Sequence, residues 1–187
     1  MVTTTLLLAR HGQTDWNRDG RFQGHADPPL NAQGREQARA LANELEKEPL
    51  TAVYSSDLRR AYETARFVAV RKGLEVRVDP QLRERDVGHW SGLTRAEIEE
   101  RFPEELRLWH EGAVACGETR EALAERVVAA ARRIAAAHSG ERVLVVTHGG
   151  ALRMLRHAAG ASPDAKVVEN GRIVRIAIEE GVLRGLD

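Results

Sequence analysis

Leu6-Leu7-Leu8-Ala9-Arg10-His11-Gly12 is a short apolar run that ends abruptly in two nitrogen-rich side chains and a glycine. So short an apolar run reads as a strand buried on both faces, the kind found inside a parallel sheet. The same pattern recurs twice further along the chain. One copy is Val53-Tyr54-Ser55-Ser56-Asp57-Leu58-Arg59-Arg60, and the other is Val143-Leu144-Val145-Val146-Thr147-His148-Gly149-Gly150. Amphipathic stretches lie between these runs. Alternating strands and helices predict a three-layer α/β/α sandwich with a mostly parallel central sheet.

The strands are expected over residues 6–9, 50–54 and 143–147. Val76 and Val78 suggest a short fourth strand, and Ile173, Ile176 and Ile178 imply a late one that Gly181 turns towards Val182 and Leu183. The helices declare themselves by period. Asn31 can cap a helix whose inner face is Ala38, Leu41, Ala42 and Leu45. Leu58, Ala61, Ala65 and Val68 form a second stripe, stopped near Gly73. Thr94 followed by Glu97 is a capping-box signature before a helix that Pro103 interrupts. Thr119 can cap a long helix with Leu123, Val127, Ala130 and Ile134 inward and Gly140 closing it, and Leu152 and Leu155 mark a last one ending near Gly160. Residues 11–30 are polar, Gly- and Pro-containing and without period; a loop of that length straight after a buried strand reads as functional.

Composition removes several classes. The 187 residues suit a single domain, 1–187, with a full core, and no repeat or linker divides them. Twenty-eight basic residues balance 28 acidic ones, so there is no basic footprint for nucleic acid, and any anion site must be local. No apolar stretch approaches the roughly 20 residues that span a bilayer, and Arg10 interrupts the first apolar run too early for a secretory signal. One cysteine, Cys116, excludes an internal disulfide framework. A cytoplasmic protein without membrane or nucleic-acid partners is expected. The late strand could pair across a homodimer.

Open α/β sheets bind ligands beyond the carboxyl ends of their strands. If the three runs are parallel neighbours, His11 and His148 lie side by side with Arg10 and Arg60 near them. Arginine's planar fork binds two oxygens of a phosphate and keeps its charge. Gly149 and Gly150 open a helix, whose free N–H groups would face an anion. Neutral imidazole, with an ordinary pKa of about 6.5, can act as a nucleophile near pH 7. The cluster suits a tetrahedral dianion and transfer of a phosphoryl group.

Arg10-His11-Gly12-Gln13-Thr14 with Trp16-Asn17 resembles the signature of the histidine phosphatase superfamily, also called the phosphoglycerate-mutase-like family. Three further runs resemble it in the same order: Ser55-Ser56-Asp57-Leu58-Arg59-Arg60-Ala61, then Leu82-Arg83-Glu84 with Gly88-His89-Trp90-Ser91-Gly92, then Thr147-His148-Gly149-Gly150. The resemblance implies that His11 is phosphorylated in the reaction, that Arg10, Arg60 and His148 form the phosphate pocket, and that Asn17 also contacts the phosphate. It matches Gln23 and Gly24 to a flanking substrate contact and Glu84 to the general acid and base. It implies no metal or organic cofactor, and a small phosphate ester as substrate. Residues 55–65 and 76–92 resemble glucosyl-3-phosphoglycerate phosphatases most, and share much with α-ribazole and broad-specificity phosphatases.

Other chemistries find less support. No Cys-x-x-Cys or His-Glu-x-x-His spacing marks a zinc site, and no Gly-x-Gly-x-x-Gly follows the first strand. Ala115-Cys116-Gly117-Glu118-Thr119 departs from the Pro-Gly-Gly-Glu-Ser loop of many relatives. The phosphoglycerate mutases resembled here carry an insertion with extra basic residues, whereas residues 92–117 hold only Arg95, Arg101 and Arg107 among many acids. That favours hydrolysis of monoesters over a cofactor-dependent mutase, while the presence of all five core residues, Arg10, His11, Arg60, Glu84 and His148, favours catalysis over a non-catalytic phospho-ligand binding module. Trp16 and Trp109 are candidates to line the entrance, in a chain with few aromatic residues; otherwise they anchor the core.

Overall fold

The structure, a computed structural model, describes residues 2–111, 116–162 and 165–186. Among them six strands form one sheet: β1 (Thr4–Arg10), β2 (Ala52–Ser55), β3 (Val76–Val78), β4 (Arg142–Thr147), β5 (Ile173–Glu179) and β6 (Val182–Gly185), in the order β3-β2-β4-β1-β5-β6. The first four are parallel. β5 runs antiparallel to β1, and a tight turn returns the chain along β6. The expected mixed sheet is present, with a single strand running against the others.

Alternation along the strands explains the layers. Leu6, Leu8, Val143 and Val145 face one way, onto α6 (Arg120–Ala137) and α7 (Gly149–Ala158), where Leu123, Val127, Ala130, Ile134, Leu152 and Leu155 are buried. Leu7, Ala9, Val53, Leu144 and Val146 face the other way, onto α2 (Ala32–Glu44) and α3 (Arg59–Lys72) through Leu41, Ala42, Ala61, Ala65 and Val68. Because both faces are covered, the strands are apolar throughout.

The helix stops are those the residues call for. Asn31 accepts a hydrogen bond from the Gly34 N–H, and Thr94 and Glu97 close a capping box on α4 (Arg95–Arg101). Pro103 ends that helix and opens α5 (Pro103–His110). Gly73 caps α3 at φ 64°, in the left-handed region. α6 ends earlier than its period suggests: His138 is the cap, and the Gly140 N–H instead donates to the Thr4 hydroxyl. Residues 11–30 are loop apart from α1 (Asp15–Arg18). A satellite core of Val87, Trp90, Ile98, Leu106 and Cys116 seats α4 and α5 beside that loop.

Candidate active site

Register places the two histidines. Arg10 of β1 pairs with Thr147 of β4, and the next N–H, that of His11, donates to the Thr147 carbonyl at 3.0 Å. His11 and His148 therefore leave the sheet together, with ring centroids 5.1 Å apart. Both are buried. His11 Nδ1 lies 2.7 Å from the Gly12 carbonyl oxygen, which can only accept, so the ring proton sits on Nδ1 and the Nε2 lone pair is free. Burial first, and the charges of Arg60 and Arg10 second, hold the His11 imidazole well below its ordinary 6.5. The same order of causes acts on His148, with His11 itself added between the two arginines. Both rings are neutral at pH 7.

Close approach of backbone fixes the nucleophile's loop. A Cβ on Gly12 would fall 2.3 Å from the Gly34 carbonyl oxygen, so the strand end lies directly against the start of α2. The Gly12 N–H donates to Thr64 Oγ1 at 3.0 Å, and Asn170 Nδ2 donates to the His11 carbonyl at 2.8 Å.

The two arginines are held by backbone carbonyls. Arg10 Nη1 donates to Val168 O at 2.9 Å; Arg60 Nη1 and Nη2 donate to Ala26 O at 2.6 Å and Gly24 O at 2.9 Å. The Nε of each is buried with no protein partner among the described residues, and so are both ring nitrogens of His148 and Oε1 of Gln23. Buried polar atoms are seldom left without partners, so a cluster of five at one place marks a site for a polar ligand. Burial lowers the Arg60 pKa to about 10, opposed by Glu84, and the group stays charged at neutral pH.

Glu84 is gripped on both oxygens. Oε1 accepts the Arg85 N–H at 2.8 Å and Oε2 accepts the Gly150 N–H at 2.9 Å. The Gly150 N–H at the start of α7 is thus committed to Glu84, where the sequence suggested it would face an anion. Gly150 lines the cleft and Gly149 packs on the Arg10 guanidinium, where an added Cβ would sit 3.4 Å from Nε. Asn17, Gln23 and Gly24 also line the cleft, whose volume is about 380 Å³. Trp109 and Phe22 stand on its wall, while Trp16 packs against Gly92 and Trp90 is fully buried.

Two supporting residues escaped the sequence. Asn170 comes from a stretch without period. Arg126 of α6 donates to the carbonyls of Gln81, Arg83 and Glu84, each at 2.8 Å, and ion-pairs with Glu118 at 2.6 Å, clamping the segment that carries Glu84. Its neighbours on the helix mark only the apolar face. Of the loop that departs from its relatives, Ala115 lies outside the described residues, while Cys116 is buried with its Sγ 3.5 Å from His89 Nδ1.

Fold and cluster together define a class: an α/β protein that gathers two neutral imidazoles, two guanidinium groups and a carboxylate beyond the carboxyl ends of the parallel strands of its sheet. The model of the histidine phosphatase superfamily (branch 1) matches residues 6–184, and the chain belongs to that family. It is 42% identical over 171 residues to phosphoglycerate mutase-like protein 4 of Arabidopsis thaliana, covering 88% of this chain and 74% of that one. It is 38% identical over 154 residues to phosphoserine phosphatase 1 of Hydrogenobacter thermophilus, covering 80% and 73%. A mycobacterial glucosyl-3-phosphoglycerate phosphatase solved in complex with VO3 superposes with a TM-score of 0.86 at 34% identity, covering 96% of this chain and 95% of that one.

Proposed function

We propose that the chain hydrolyses small phosphomonoesters without a metal, by way of a phosphohistidine on His11. The observation that carries the reading is the free Nε2 lone pair of a buried, neutral His11, held in place by its Nδ1–H bond to Gly12. Nε2 attacks phosphorus as the bond from phosphorus to the ester oxygen breaks, and the electron pair leaves on that oxygen. Glu84 gives the leaving alcohol its proton. Water then attacks the phosphohistidine, its proton passes to Glu84, and the broken N–P bond returns its pair to Nε2.

The remaining roles follow from the free polar atoms. Arg10 and Arg60 present Nε–H groups and positive charge to the three phosphoryl oxygens, and His148 donates one ring N–H to them. Asn17, Gln23 and Gly24 border the same cleft and contact the substrate around its phosphate, and Gly149 keeps the Arg10 guanidinium in place. The named relatives act on phosphoserine and glucosyl-3-phosphoglycerate, which supports a small metabolite as substrate. The proposed compartment is the cytoplasm, in keeping with a single buried cysteine; among the described residues no helix is long and apolar enough to cross a membrane.

An aryl phosphate assayed with excess chelator tests the proposal. Phosphate release should persist in chelator and disappear in His11→Ala. Turnover unchanged by His11→Ala would remove His11 from the mechanism, and isomerisation of 3-phosphoglycerate with negligible phosphate release would replace hydrolysis by mutase chemistry.

A further inference from the structure

One cluster of metal-ligating side chains lies outside the cleft and has no part in the mechanism. His89 comes from the turn Gly88–Trp90, Glu105 from α5, and Cys116 from the segment that leads into α6. A ring nitrogen of His89, a carboxylate oxygen of Glu105 and Cys116 Sγ all lie within 4.8 Å of one another. None of the three lines the cleft. Cys116 stands where the Pro-Gly-Gly-Glu-Ser loop of many relatives has its first glycine, so the family's chemistry does not account for it.

The contacts within the cluster leave electron pairs unmatched. The Cys116 thiol donates to the Val87 carbonyl at 2.7 Å, and its sulfur faces His89 Nδ1 at 3.5 Å. On the other side of the ring, Nε2 is 3.0 Å from Glu105 Oε2. A carboxylate so close calls for the ring proton on Nε2, which leaves the Nδ1 lone pair turned to the sulfur. Oε2 nevertheless lies off the line of that N–H. It is buried and makes no hydrogen bond among the described residues, a state that points to a missing partner. Phe102 packs edge-on against the imidazole, with centroids 4.7 Å apart, and holds the ring in place.

Geometry and charge select the ion. Sulfur at about 2.3 Å and imidazole nitrogen at about 2.0 Å from a tetrahedral zinc ion stand roughly 3.5 Å apart. Sγ and Nδ1 already have that separation. Thiolate, imidazole and carboxylate together suit zinc, whereas magnesium and calcium take oxygen ligands. The thiolate and the carboxylate carry two negative charges, which one divalent ion cancels. The His89 side chain is half-exposed and that of Glu105 partly so, which gives an ion and a water ligand a way in.

We propose that His89, Glu105 and Cys116 bind a zinc ion at a site separate from the phosphate cleft. Cys116 loses its thiol proton to solvent as the sulfur–zinc bond forms, and His89 gives its Nδ1 pair. Glu105 turns a carboxylate oxygen onto the ion, and water fills the fourth position. The ligands come from three separate elements, so no spacing in the sequence marks them. The ion ties α5, which carries Trp109, to the turn that carries Trp90.

Cobalt(II), titrated into protein freed of metal by chelator, is the optical probe for the zinc site. Cys116 is the only cysteine, so a thiolate-to-cobalt charge-transfer band can come from nowhere else in the chain. The band should saturate at one equivalent, and zinc should abolish it by displacement. It should be absent from Cys116→Ser, and His89→Gln and Glu105→Gln should each weaken cobalt binding by about tenfold or more. Circular dichroism should show both of these variants folded, since neither side chain is fully buried. Zinc at about 100 times its dissociation constant should raise the wild-type melting temperature by roughly 5–10 °C, and that of Cys116→Ser by less than about 2 °C. No band at millimolar cobalt, or undiminished affinity in either His89→Gln or Glu105→Gln, would overturn the site. So would an equal melting shift in Cys116→Ser.

Discussion

At the scale of single residues the site depends on atoms brought closer than side chains normally allow. Gly150 shows this best, because a Cβ there would fall 2.2 Å from Glu84 Oε1. Gly150→Ala must therefore push the carboxylate off its two N–H donors, and kcat on an aryl phosphate should fall by roughly 10- to 100-fold, within the range of a displaced acid–base group. Circular dichroism and the melting temperature should change little, since α7 tolerates alanine. His11, His148, Arg10, Arg60 and Glu84 were legible in the sequence because they sit at strand ends or inside a motif. Asn170 was not. It works by donating to a main-chain carbonyl, which any donor of the right length can do, and such a contact leaves no pattern of residue types.

At the scale of elements, the helices and strands could be read because each buries a stripe or an alternating face. What the stripes do not carry is the polar side of α6. Arg126 reaches from it to three carbonyls and one carboxylate, holding the Glu84 segment against the helix. Arg126→Met keeps the length of the stem and removes the donors. It should cost about 2–4 kcal/mol in denaturant unfolding, since hydrogen bonds to a charged group are the stronger ones. It should also lower kcat by at least about tenfold through a loosened Glu84. The β5–β6 turn offers a gain instead. Glu180 at φ 49° and Gly181 at φ 79° form a two-residue turn with both angles positive, a conformation glutamate tolerates poorly. Glu180→Asn should raise stability by about 0.5 kcal/mol, read as a shift in the denaturant midpoint.

At the scale of the whole molecule, equal numbers of acidic and basic residues leave no long-range field, and the electrostatics are concentrated in one cleft. The cluster leaves a mark on folding. His11 and His148 have folded pKa values depressed below those of the unfolded chain, chiefly by burial. Below about pH 6.5 the unfolded chain takes up protons that the folded one refuses, so stability present above that pH is lost as the pH falls. From about pH 7.5 to about pH 5.5 each histidine should therefore remove stability, and His148→Gln should lose less than the wild type over that range by urea unfolding. An equal loss in wild type and variant would show that the ring at position 148 titrates normally. The layers and the mostly parallel sheet followed from three apolar runs and four helical stripes, whereas the strand order came from the structure. The coupling of two imidazoles to folding needed their burial, which neither motif nor period records.

The central claim is that His11 carries the phosphoryl group between substrate and water. It is tested most directly by quenching the protein during turnover of an aryl phosphate and locating bound phosphate by mass spectrometry. The account predicts phosphate on the Nε2 of His11, labile to acid, and absent from His148 and from the His11→Ala variant. Phosphate release at full rate with no phosphoryl group trapped on His11, or with the group on another residue, would contradict it.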